Sequence, residues 1–94
     1  MYKSLLINKI NPQDFTKGKK RMFFLIGDMN ILATEDRLVK LLNKSGLLEI
    51  SDILFKYNGI ELSIDVQTIP EIVKLLAKEN FSIYSIYEVY SPEA

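Results

Sequence analysis

Residues 52–66 read DILFKYNGIELSIDV, and their alternation decides the architecture. Ile53, Phe55 and Tyr57 alternate with Asp52, Leu54 and Lys56. After Asn58-Gly59, Ile60, Leu62, Ile64 and Val66 alternate with Glu61, Ser63 and Asp65. A period of two marks a half-buried strand. Asn-Gly is the preferred dipeptide of a two-residue type I′ hairpin, whose central residues both take positive φ. Such a loop pairs Tyr57 with Ile60, Phe55 with Leu62 and Ile53 with Ile64, so the apolar residues of both strands share one face. On the other face Lys56 meets Glu61, a favourable cross-strand pair.

Helices flank this hairpin on both sides. Upstream, Leu38, Leu41 and Leu42 recur at helical spacing, with Thr34 as the expected N-cap, Glu35 and Asp36 in the first turn, Lys44 in the last and Gly46 as the stop. Downstream, Thr68 and Glu71 have capping-box spacing, Pro70 lies in the first turn, Ile69, Ile72, Val73 and Leu76 line one face, and Asn80 serves as the stop. Outside the helices lie two more strands. Met22 to Ile26 is apolar at every position, the mark of a strand buried on both faces. Residues 81–90, FSIYSIYEVY, are rich in β-branched and aromatic side chains. The order is β-α-β-β-α-β, an α+β, ferredoxin-like arrangement: a four-stranded antiparallel sheet with two helices on one face. Residues 21–94 form this unit. Residues 1–20 stand before it as an arm or linker, with a short apolar segment at Tyr2 to Ile10, a turn at Asn11 to Asp14 and a loop at Lys17 to Lys20.

Composition narrows the chemistry. Ninety-four residues, 48% hydrophobic and 26% charged, make one globular domain. Cysteine and histidine are both absent, which removes thiolate ligands, disulfides, the commonest general base and the commonest transition-metal ligand. The apolar runs are far shorter than the roughly 20 residues that span a bilayer, and Lys3, Asn8 and Lys9 interrupt any secretory pattern. A cytoplasmic setting is expected. Net charge is zero but uneven: Lys3, Lys9, Lys17, Lys19, Lys20 and Arg21 face Asp14 alone over residues 1–21, giving +5 against −5 for residues 22–94. Solvated loop lysines account for that excess more simply than a nucleic-acid or lipid contact.

Tests for specific chemistry come out negative. Lys17-Gly18-Lys19-Lys20 precedes a strand where a phosphate loop requires a helix. Asp52 and Asp65 are expected across from each other at the hairpin's far end, but two carboxylates alone seldom hold a divalent ion. An RNA-recognition module shares this topology and presents aromatics on its open sheet face. Here the third strand offers Glu61, Ser63 and Asp65 to that face, and Tyr84, Tyr87 and Tyr90 fall on both parities of the last strand. Catalytic, cofactor and metal residues are therefore expected to be absent, as are nucleic-acid binding and membrane insertion. One anomaly remains. The first strand is apolar on both parities, Phe24 as well as its neighbours Phe23 and Leu25, so whichever parity points away from the helices needs a cover. A second copy, a neighbouring domain or the Tyr2 to Ile10 arm, with Leu5, Leu6, Ile7 and Ile10, is the expected lid.

From Arg21 onward the chain resembles the small C-terminal accessory domain that follows the nucleotide-binding domain in many bacterial ABC-transporter ATPase subunits. Residues 68–76, TIPEIVKLL, and 78–88, KENFSIYSIYE, carry the resemblance: an "IPEIVKxL" helix, a short turn and an "IxIYxI" strand. Ser91-Pro92-Glu93-Ala94 is similar to the start of the family's closing helix, and residues 1–20 depart from the pattern. The resemblance implies a domain of a longer protein, concerned with subunit contacts and regulation, held at the inner face of the membrane through a transporter complex. The ATPase residues belong to the preceding domain, so none is assigned here. Residues 75–86 are also similar to the helix and strand of ACT-like domains, which sense amino acids, although the Val66 to Glu71 turn lacks the glycine usual there. A stand-alone protein–protein adaptor is the third reading.

Overall fold

The computed structural model describes residues 10–89 and shows the expected order. Strand β1 (Lys20–Ile26) is followed by helix α1 (Leu32–Ser45), a 3-10 turn at Ile50–Asp52, β2 (Ile53–Lys56), β3 (Gly59–Ile64), helix α2 (Thr68–Lys78) and β4 (Ile83–Glu88). The sheet is antiparallel throughout, in the order β2-β3-β1-β4. This is the ferredoxin-like sandwich. No helix among the described residues is long and apolar enough to cross a membrane.

Both helices lie on one face of the sheet. Leu38 and Leu42 of α1 and Ile72 and Leu76 of α2 join Met22, Phe24, Ile26, Ile60, Leu62 and Ile64 in a single buried cluster. Leu38 and Leu42 are i and i+4 neighbours, as are Ile72 and Leu76, so each helix presents one apolar stripe to the sheet. Ile53, Phe55, Ile83 and Ile86 extend the cluster to the outer strands. The two-sided burial foreseen for β1 is present: Met22, Phe23, Phe24 and Ile26 are all buried, and Leu25 is half-buried.

The helix starts differ from expectation, and the reasons are specific. Helix α1 begins at Leu32, and the Ile31 carbonyl accepts from the N–H groups of Thr34 and Glu35, so Thr34 sits inside the first turn rather than capping it. At α2 the side chain that caps is Asp65, not Thr68. Its Oδ1 accepts from the Thr68 N–H at 3.2 Å and from the Thr68 hydroxyl, which leaves that hydroxyl donating rather than capping. An acidic side chain suits this position because it meets the partial positive charge of the helix N-terminus. The stops are as read. Gly46 takes the left-handed conformation after α1 (φ 75°), and Asn80 does so after α2 (φ 66°). At Asn80 the bonds Phe81 N–H to Leu76 O and Asn80 N–H to Ala77 O close a Schellman motif, with Phe81 folding back onto the core.

The hairpin keeps its face but not its register. Lys56 pairs with Gly59, Phe55 with Ile60 and Ile53 with Leu62, a slip of two residues from the expected pairing. The loop is Tyr57-Asn58, and neither Asn58 nor Gly59 has positive φ. Because the slip is even, Ile53, Phe55, Ile60, Leu62 and Ile64 still share the core face. Gly59 has a different role from the one Asn-Gly suggests. It pairs with Leu25 inside the sheet, where an added Cβ would lie 2.0 Å from the Phe24 carbonyl oxygen and 2.8 Å from Phe23 Cζ. The Asn58 carbonyl meanwhile accepts from the Ile26 N–H at 3.1 Å, tying the loop to β1. Close approach of two backbones, not turn geometry, is what requires glycine here.

Candidate interaction surface

The second face of the sheet, turned away from the helices, carries the side chains that the core does not absorb. Register sets its rows: Leu54, Glu61, Phe23 and Tyr87 cross the sheet in line, flanked by Lys56, Gly59, Leu25 and Ser85 on one side and by Ser63 and Arg21 on the other. At its centre is the buried carboxylate of Glu61, only 6% exposed. Arg21 Nε donates to Glu61 Oε2 at 2.6 Å, and Lys56 Nζ stands 3.9 Å from Oε1. An unpaired carboxylate at this depth costs several kcal/mol, so the pair with Arg21 is what lets the face hold an acid at all. Lys56 reaches Glu61 diagonally, because Leu54 and not Lys56 is directly opposite.

Aromatic rings occupy the β1–β4 side. Phe23 is 7% exposed, with the Tyr87 ring 5.3 Å away at a 41° tilt. The missing side chain of Gly59 makes room for the Phe23 ring, whose Cζ stands 2.8 Å from where a Cβ would lie. Tyr84 is held similarly over Gly27, with its Cε2 3.0 Å from a Cβ built there. It reaches this face through a bulge. Leu25 pairs with Ser85 but Ile26 pairs with Ile83, leaving Tyr84 as the extra residue. A bulge breaks the period of two. Tyr84 and Tyr87 therefore share the second face, contrary to the parity argument from the sequence. Tyr90 lies outside the described residues.

These contacts change the expected need for a cover. Phe23 is already buried, so the apolar groups left to solvent are Leu54 and the tyrosines Tyr84 and Tyr87, which tolerate water at their hydroxyl ends. Of the arm expected as the lid, Ile10 instead packs against the core on the helix side and lines a shallow apolar pocket with Val66, Ile69 and Pro70. Gln67 holds that stretch in place, with Nε2 donating to the carbonyls of Pro12 and Asp14 at 2.9 Å each. Leu5, Leu6 and Ile7 lie outside the described residues.

Asp52 and Asp65 line one open cleft of about 530 Å³, together with Lys17, Lys19, Ser63 and Thr68. The register places Ser63, not Asp65, across from Asp52. Each carboxylate is engaged locally. Asp52 Oδ1 accepts from Lys19 Nζ at 2.7 Å, and its Oδ2 accepts from the Glu49 N–H at 2.9 Å. The Lys19 bond, reinforced by the Glu49 N–H, holds the Asp52 carboxyl below its ordinary pKa, and the same bond raises that of Lys19. Asp14 is also lowered, by the Thr16 hydroxyl and then its N–H. Among the described residues no three carboxylates gather as metal ligands. Lys17-Gly18-Lys19-Lys20 runs directly into β1, without the helix that a phosphate loop needs. Comparison with protein-family models, curated proteins and solved structures gives no significant match.

Proposed function

We propose that the chain is a non-catalytic interaction domain that regulates through protein contacts, as the accessory domain of an ABC-transporter ATP-binding subunit on the cytoplasmic side of the membrane. The observation that carries this reading is the second sheet face. Tyr84 over Gly27 and Tyr87 against Phe23 share that face, and the buried acid beside Phe23, Glu61, is satisfied by Arg21. Exposed tyrosine on a packed backing, with an arginine nearby, is the composition enriched at protein-binding surfaces. The sequence resemblance of residues 68–88 suggests the family. Chemistry is assigned to the partner: the chain supplies contact area and orientation.

The test is calorimetric titration of the chain, first with Mg-ATP and then with a purified ABC-transporter ATP-binding subunit of the same genome. No saturable heat with Mg-ATP, and saturable binding to the subunit that Tyr87→Ala weakens at least tenfold, is the expected pair of results. Saturable micromolar binding of Mg-ATP to the chain alone would contradict it.

A further inference from the structure

The two edges of the sheet are guarded unequally. The β2 edge is four residues long, closes on Lys56 and is preceded by the 3-10 turn that carries Asp52. The β4 edge is six residues long, IYSIYE, with no proline and no lysine, and among the described residues nothing pairs with its outer side. An edge of that kind is a template for another strand.

Hydrogen-bond direction shows what the template offers. The Val89 N–H donates to the Arg21 carbonyl at 2.8 Å, while the Ile26 N–H donates the other way, to Asn58. Bonding direction alternates along a strand, so residues 85, 87 and 89 turn their backbone groups toward β1. Ile86 and Glu88 therefore turn theirs outward, beyond the bulge at Tyr84. Two outward residues separated by one inward residue define a self-complementary register. An antiparallel copy centred on Tyr87 pairs Ile86 with the copy's Glu88 and Glu88 with its Ile86, using every outward N–H and C=O of the regular segment. Tyr87 then meets its own copy as a non-hydrogen-bonded pair, with Cα atoms about 4.5 Å apart.

We propose that β4 is a homodimerisation edge, joining two copies into one eight-stranded sheet with the ring row Phe23, Tyr87, Tyr87 and Phe23 across the junction. A second copy is the fitting occupant because this register satisfies the outward groups of both copies and puts aromatic against aromatic, a favourable cross-strand pair. The proposal rests on the reading of the chain as an interaction domain, but its test is self-association, which can fail while binding to an ATP-binding subunit persists.

The experiment measures mass in solution at about 200 µM, a concentration suited to an interface smaller than the standard size. The intact chain is expected at twice 10.8 kDa. Glu88→Pro removes an outward N–H and leaves the bonds to β1, so it should return the mass to that of one chain with far-ultraviolet dichroism unchanged. The chain has no cysteine, which makes a second variant clean. Tyr87→Cys should form a disulfide-linked dimer on oxidation, within the Cα range that disulfides bridge, whereas Leu54→Cys at the opposite edge of the sheet should not. A single-chain mass for the intact protein overturns the proposal, as does a dimer that survives in folded Glu88→Pro. Equal crosslinking of Leu54→Cys also overturns it. Dimerisation seen only after deletion of residues 1–9 would assign the edge to that tethered segment instead.

Discussion

The two faces of the sheet are built on different rules. The helix face is filled by Met22, Phe24, Ile26, Ile60, Leu62 and Ile64, side chains that need only be apolar and of suitable size. The second face depends on individual fittings: Gly59 under the Phe23 ring, Gly27 under Tyr84, Arg21 on Glu61, and a bulge that turns Tyr84 outward. A pattern specifies the first face and single residues specify the second. Substitutions on the second face should therefore act in ways that hydrophobicity does not forecast.

Gly59→Val breaks the comparison most sharply. Valine favours strands, so propensity alone forecasts a gain. The structure forecasts a loss of about 3 kcal/mol, because a side chain at this position overlaps the Phe24 carbonyl, which the surrounding ladder holds in place. The denaturant midpoint measures it. A midpoint equal to that of the unaltered chain would contradict the close approach of Gly59 to the Phe24 carbonyl.

Arg21→Met is the second in size. Methionine keeps much of the packing length but leaves Glu61 with Lys56 at 3.9 Å as its remaining cation. A loss of about 1–2 kcal/mol is expected, and the double variant Arg21→Met with Glu61→Leu should recover most of it. No recovery in the double variant would mean that the arginine acts through its own packing rather than by satisfying the carboxylate.

The smallest effect belongs to the Lys19–Asp52 bridge beside the cleft. Asp52 has a lowered pKa, so its contribution is full above the ordinary carboxylate value and is lost as pH falls through the folded one. Lys19 has a raised pKa, so its contribution is full below the ordinary lysine value and is lost as pH rises through the folded one. The bridge thus acts across neutral pH and fails at both extremes. Because Lys19 is largely exposed, Lys19→Met should shift the midpoint only slightly at neutral pH, and that shift should vanish in acid. A shift that grows as pH falls would contradict the pairing.

Element order was legible because it is carried by periods: two in the hairpin, three and four in the helices, and an unbroken apolar run in β1. Gly46 and Asn80 were legible as stops because few other residues take positive φ there. The misreadings share a cause. Asn58-Gly59 looked like a turn because local sequence says nothing of the Phe24 carbonyl, 35 residues upstream of Gly59. Thr68 looked like a cap because Asp65, three residues earlier, looked like the end of a strand. Tyr84 and Tyr87 looked like opposite parities because a bulge depends on the partner strand and leaves no mark on its own. The second face was therefore visible as an anomaly of the two-sided Met22 to Ile26 run but not as an arrangement.

That arrangement is where the account places function, and hydrogen exchange of the chain with and without a purified ABC-transporter ATP-binding subunit tests it most directly. The account predicts slowed exchange in the strands that carry Tyr84, Tyr87 and Leu54, residues 83–88 and 53–56, with α1 and α2 unchanged. Protection confined to α1 and α2, with both sheet edges exchanging as they do in the free chain, would contradict it.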